Sequence, residues 1–175
     1  MGAELLKDEV IVLRPWSFAD IDAIVECIDG DPEIARWLDQ VPQPYTRQDA
    51  RGYVGGIGEQ AFAVTDAESG GLLGSIGVRW NERHDVGEIG YWVRADARGR
   101  GVITRALGLV SRFAFEHEGA ARLQLRADVD NVGSRRAAEK AGFSFEGVQR
   151  AAHWNERLGR RQDHAMYSLL PGEIR

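Results

Sequence analysis

The chain has 175 residues, 43% of them hydrophobic, which is enough for a sizeable core and suits a single domain over residues 1–175. Its formal charge of -5 disfavours bulk affinity for nucleic acid, and no apolar run approaches the length of a membrane span. A lone cysteine, Cys27, excludes an internal disulfide, and the N-terminal residues lack an apolar core and a cleavage pattern, so a cytoplasmic setting without a signal peptide is expected.

Glu9 to Leu13 reads as a first strand, closed by Arg14-Pro15-Trp16. Asp20 to Ile28 carries apolar residues at helical spacing, and Cys27 belongs to that pattern as a small buried side chain rather than a nucleophile. Asp31-Pro32-Glu33 opens a second helix with proline in its first turn. Two prolines make Val41 to Tyr45 a loop, after which Thr46 and Asp49 stand at capping-box spacing for a third helix. Ala61 to Thr65 and Leu72 to Trp80 read as paired strands across the turn residues Glu68 to Gly71. Gly87 to Val93, rich in aromatic and β-branched types, is a fourth strand. The helix Gly101 to His117 follows, with Val102, Ile103, Ala106, Leu107, Leu109, Val110 and Phe113 on its apolar positions. Arg122 to Ala127 is a fifth strand, and Asn131 to Ala141 a helix ended by Gly142. Phe143 to Gln149 and His164 to Leu169 close the chain as strands separated by a polar loop around Asn155, with Asp163 placed to fix a bulge. This order predicts a mixed α/β (α+β) domain built on one sheet.

The junction between the fourth strand and its helix is the most informative segment. Arg98-Gly99-Arg100-Gly101-Val102-Ile103-Thr104 places two glycines and two arginines where a helix opens, with free backbone N–H groups and the positive end of its dipole. Such a place binds phosphate or pyrophosphate, and arginines add charge-assisted hydrogen bonds. Together with Arg94 and Arg105 they make the surroundings locally basic. A P-loop is excluded because its lysine and spacing are missing, and the dinucleotide fingerprint is excluded because its last glycine is missing.

The chain resembles the GNAT superfamily of acyl-CoA-dependent N-acyltransferases, and within it the RimJ/RimL branch. The resemblance is carried by Leu13-Arg14-Pro15-Trp16, Glu88-Ile89-Gly90-Tyr91-Trp92-Val93, the Arg98 to Thr104 loop and Asn131-Val132-Gly133-Ser134. Ala138 to Phe143, Glu146-Gly147 and Tyr167 to Leu170 extend it towards the C-terminus. Ile103 departs from the glycine or alanine usual in the superfamily, although this branch often carries a bulky residue there. The resemblance implies a mainly antiparallel central sheet flanked by helices and splayed between its fourth and fifth strands. It also implies acetyl-CoA as co-substrate, no metal, and an amine acceptor: a protein N-terminus of ribosomal-protein type or a small amine. Neither a nucleic acid nor a membrane is implied as partner. Dimers are common in this branch, so a homodimer is one expected assembly.

The pyrophosphate would then sit on the N–H groups of Gly99, Arg100, Gly101, Val102, Ile103 and Thr104, with Arg98 and Arg100 at its edge. The pantetheine arm would add to the splayed edge of Tyr91-Trp92-Val93 like an extra strand, and a backbone N–H of Trp92 or Val93 would hold the thioester oxygen. An α-amine with a pKa of about 8 is only roughly one-tenth neutral at pH 7, so a base is useful. Glu88 is the candidate, directly or through water, against the alternative of an ordinary solvated strand glutamate. Ser134 would protonate the leaving thiolate and Asn131 bond the pantetheine, although the pair also describes a helix cap. Trp16, Trp37 and Tyr45 belong either to the acceptor pocket or to the core. The four histidines lack metal-ligand spacing. The acidic chain favours cationic acceptors. A competing class is a catalytically silent acyl-CoA sensor or partner-binding domain.

Overall fold

The computed structural model describes residues 6–56 and 60–174; of the N-terminal stretch read for a signal peptide, residues 1–5 lie outside them. Eight strands join in one sheet: β1 (Leu6–Lys7), β2 (Ile11–Pro15), β3 (Ala61–Asp66), β4 (Leu72–Trp80), β5 (Val86–Val93), β6 (Arg122–Asp128), β7 (Ser144–Asn155) and β8 (Arg160–Leu169). Their order is β1-β2-β3-β4-β5-β6-β8-β7. The β5–β6 pair is parallel, and the remaining described registers are antiparallel. The helices are α1 (Ile21–Ile28), α2 (Pro32–Trp37), α3 (Arg47–Gly56), α4 (Val102–Glu116) and α5 (Val132–Lys140). The mixed, mostly antiparallel sheet matches the expectation. Among the described residues no helix is long and apolar enough to cross a membrane.

The chain divides into two compact units. The first runs to Gly77 and resumes over Tyr91–Val102. Its core gathers Ile21, Ile24, Cys27 and Ile28 of α1 with Ile34, Tyr45, Ala50, Ala63, Leu72 and Trp92. Entry into α1 is held by Arg14, whose two terminal nitrogens reach Asp20 at 2.7 and 2.8 Å, while Asp20 also accepts the Ser17 N–H at 2.9 Å. Burial raises the Asp20 carboxyl's proton affinity, but the Arg14 bond and the Ser17 N–H outweigh it and hold the pKa below its ordinary value. The capping box expected at the third helix is present: Thr46 N–H donates to Asp49 at 2.8 Å and Asp49 N–H to the Thr46 hydroxyl at 3.2 Å. The first strand runs further than expected, through Pro15, which pairs with Phe62 at the strand end. The two-residue β1, paired with Val12 and Leu13, is too short to leave a periodic signal.

The second unit comprises Val78–Gly90 and the chain from Ile103 onward. Its core includes Leu107, Val110 and Ala114 of α4, Leu123 and Leu125 of β6, Ala138 of α5, and Ala165, Tyr167 and Leu169 of β8. β5 pairs with β6 as Val86↔Arg122, Gly87↔Leu123 and Glu88↔Gln124, and the register ends there. The polar loop expected around Asn155 is corrected. Asn155 is buried at the end of β7, donates to Gln162 at 2.8 Å and accepts the Leu158 N–H at 2.9 Å, so the two last strands form a long hairpin. β7 lies at the sheet edge and is exposed along most of its length, so it lacks the apolar alternation that marks a half-buried strand. Its register shifts between Gln149 and His153, where Ala151 has φ +51° and donates its N–H to Asp163 at 2.7 Å. Asp163 thus fixes a bulge, as its position suggests.

Candidate active site

The loop before α4 has the backbone its glycines foretell. Gly99 and Gly101 hold φ +73° and +78°, a left-handed region that costs other residues roughly 1–2 kcal/mol each. Arg98 is extended, and the alternation leads directly into α4 at Val102. Gly99, Arg100 and Gly101 are exposed, Thr104 is half-buried, and Val102 and Ile103 are buried. The bulk of Ile103 is therefore spent in the core.

The two loop arginines differ. Arg98 donates through one terminal nitrogen to the buried carboxylate of Asp31 and to the Val93 carbonyl at 3.2 Å. Arg100 is exposed. Arg94, expected to add to the basic surroundings, is taken by Asp96 through bonds of 2.6 and 2.8 Å. A groove of about 460 Å³ opens beside these residues, lined by Cys27, Asp29, Asp31, Arg94, Asp96 and Arg98 among others. Cys27 is buried in the core of the first unit, and that burial pushes its thiol up to about 11.

At the end of β5, Trp92 is buried and its carbonyl lies 2.3 Å from where a Cβ on Gly74 would stand, so only glycine fits at that point of β4. The Trp92 indole donates to the Tyr53 hydroxyl at 3.2 Å, and Tyr53 and Ser75 share a bond of 2.8 Å. Burial raises the Tyr53 pKa against the effect of those bonds. Trp16 packs edge-on to Tyr53 with ring centres 5.7 Å apart and lies 6.3 Å from Trp92. Tyr45 is core, whereas the Trp37 indole bonds Glu33 at 2.8 Å near the surface.

In the second unit Glu88 is engaged on both oxygens. Arg126 donates to Oε1 at 2.6 Å and Gln124 to Oε2 at 3.3 Å, with Arg79 at 4.0 Å. The chain of bonds continues from Gln124 to Arg122, then through Glu146 to Ser168. Glu88 is thus one member of a polar network across β5, β6, β7 and β8 rather than a lone strand glutamate. At α5, Asn131 accepts the Ser134 N–H at 3.1 Å, so the capping role of this pair is real and uses the Asn131 carbonyl oxygen. His153 and His164 stack with ring centres 5.5 Å apart, and among the described residues no group of His, Cys, Asp or Glu is placed to hold a metal ion.

Residues 11–144 match the acetyltransferase (GNAT) domain. The chain belongs to the GNAT acetyltransferase family. It is accordingly an enzyme of the acyltransferase class. It is 28% identical over 174 residues to Bacillus subtilis (strain 168) YdaF, provisionally named a ribosomal N-acetyltransferase, covering 95% of this chain and 94% of that one. A GNAT acetyltransferase structure from Bacillus anthracis superposes with a TM-score of 0.87 at 21% identity, covering 95% and 98% of the two chains. The ribosomal L7/L12 alpha-N-protein acetyltransferase RimL, solved in complex with coenzyme A, superposes with a TM-score of 0.78 at 20% identity, covering 95% and 98%. At these identities the two structures speak for the fold.

In this acetyltransferase several side chains escaped the sequence reading. Tyr53 and Ser75 could be suspected only from a serine set inside the apolar run Leu72-Leu73-Gly74-Ser75-Ile76. Asp31 carried the signal of a helix opener, and nothing local announced its second partner, Arg98.

Proposed function

We propose that the acetyltransferase is a single domain over residues 1–175 that uses acetyl-CoA and transfers its acetyl group to a primary amine by direct attack in a ternary complex. The observation that carries this reading is the pair of left-handed glycines, Gly99 and Gly101, opening the 15-residue helix α4. They leave an exposed stretch of backbone at the opening of the helix, with the exposed Arg100 between them, suited to a diphosphate. Bound acetyl-CoA would supply an activated thioester; Gly99, Arg100, Gly101, Val102, Ile103 and Thr104 would hold its diphosphate by backbone N–H groups. Trp92 and Val93 would offer strand-edge groups to its pantetheine amides. Glu88 would take the amine proton through a water, and Ser134 would give one to the departing thiolate, with Asn131 ordering that helix start. The acceptor we favour is a ribosomal protein, on the name of the Bacillus subtilis relative, and on it the N-terminal α-amine, which is more often neutral at pH 7 than a lysine amine; small amines form the other class.

The test supplies acetyl-CoA with N-terminal peptides and a panel of small amines, following thiol release and the mass of the acylated product. Turnover on peptides is the expected result. One observation favours the sensor reading: both Glu88 oxygens are already engaged. Coenzyme A binding without turnover on any amine would establish that alternative.

A further inference from the structure

Asp31 stands just before α2 with its side chain only 5% exposed. Its Oδ1 accepts the backbone N–H groups of Glu33 at 2.9 Å and Ile34 at 3.3 Å. Its Oδ2 accepts from Arg98, and the same Arg98 nitrogen donates to the Val93 carbonyl at 3.2 Å. One buried carboxylate therefore joins the opening of α2, the end of β5 and the start of the glycine loop. A carboxylate at this burial is costly without a cation, so the charge of Arg98 is committed inward. Turning that guanidinium towards an outside anion would strand Asp31.

The geometry points to Asp31 as a positioning residue for the donor site: through Arg98 it sets the direction in which Gly99 to Val102 present their N–H groups, and Arg98 is an internal tether rather than a phosphate ligand. This rests on the reading that the loop binds coenzyme A. It replaces the expectation that Arg98 and Arg100 both lie at the edge of the diphosphate, and leaves Arg100 as the outward-facing cation of the pair.

The variant Asp31→Asn separates the two roles, because the amide oxygen can still cap α2 while the charge that holds Arg98 is gone. A tether predicts weaker coenzyme A binding by calorimetry, by about tenfold, since a buried charged hydrogen bond is lost. Arg98→Met should lose a similar amount, and the double variant no more than either single change, because both remove one interaction. Acetyl-CoA KM should rise more than kcat falls, and Arg98→Lys, which keeps a cation within reach of Asp31, should restore part of the affinity. Salt supplies a measurement that does not need Asp31→Asn to fold. Arg98→Met should leave the ionic-strength dependence of binding as in the parent protein, whereas Arg100→Met should flatten it, because an exposed phosphate contact is screened. Unchanged or tighter binding in Asp31→Asn, additive losses in the double variant, or a flattened salt dependence in Arg98→Met would each overturn the proposal. A parent protein that binds no coenzyme A would overturn the proposed function instead.

Discussion

The glycine loop and Glu88 are near neighbours along the chain, yet they acquire their character in opposite ways. The loop is a local object: Gly99 and Gly101 adopt the left-handed backbone because of what they are, and α4 follows at once. Glu88 is defined from afar, by Arg126 and Gln124 on β6 and Arg79 on β4. A site built from local geometry should respond to backbone changes, and one built from long-range partners to changes of charge. That contrast can be broken at either end.

The largest effect is expected at Glu88. If its carboxylate takes the amine proton, Glu88→Gln should lower kcat by about 100-fold at pH 7, the lower part of the range for general bases. The loss should shrink as pH rises through about 8, where an α-amine deprotonates unaided. Arg126→Met is the companion measurement. Equal losses in both variants, with the same pH profile, would show that Glu88 serves only to hold Arg126 in the network. A smaller effect is expected in the loop, where Gly101→Ala keeps all charges and opposes only the left-handed backbone. The strain corresponds to about a tenfold rise in acetyl-CoA KM, with kcat less affected. An unchanged KM would mean that the loop conformation does not matter for the coenzyme.

The same division explains how much could be read from the sequence. Helices with strong local punctuation were legible: Pro32 in the first turn of α2, Thr46 and Asp49 at α3, Asn131 and Gly142 around α5. The central strands were legible through their apolar runs, and the order of elements sufficed for the sheet. β7 was only half seen, because an exposed edge strand with a bulge at Ala151 shows no alternation. In the glycine loop, the backbone conformation was legible, because Gly99 and Gly101 favour the left-handed region that they adopt. The bond from Arg98 to Asp31 was not, since its two partners lie far apart in sequence. The Tyr53–Ser75–Trp92 bonds were hidden for the same reason, with three elements each contributing one polar group.

The smallest effect tests whether the network around Glu88 also supports the second unit. The Glu146 carboxyl is lowered from 4.5 to about 2 by its bonds from Arg122 and Ser168. Its folded pKa thus lies below the unfolded one, so the unfolded chain binds the extra proton first as the solution is acidified. The stabilisation is whole above about pH 4.5 and is lost as pH falls towards 2. Glu146 is 41% exposed, and screening limits the pair to less than about 1 kcal/mol. Thermal unfolding followed from pH 7 down to the acid limit should therefore show Glu146→Gln slightly less stable at neutral pH and converging on the parent protein in acid. Added salt at pH 7 should narrow the same gap, because the Arg122–Glu146 pair is partly open to solvent. Parallel curves at all pH values would mean that this end of the network contributes shape but no linked charge, and that the tie between Glu88 and its partners stops at Gln124.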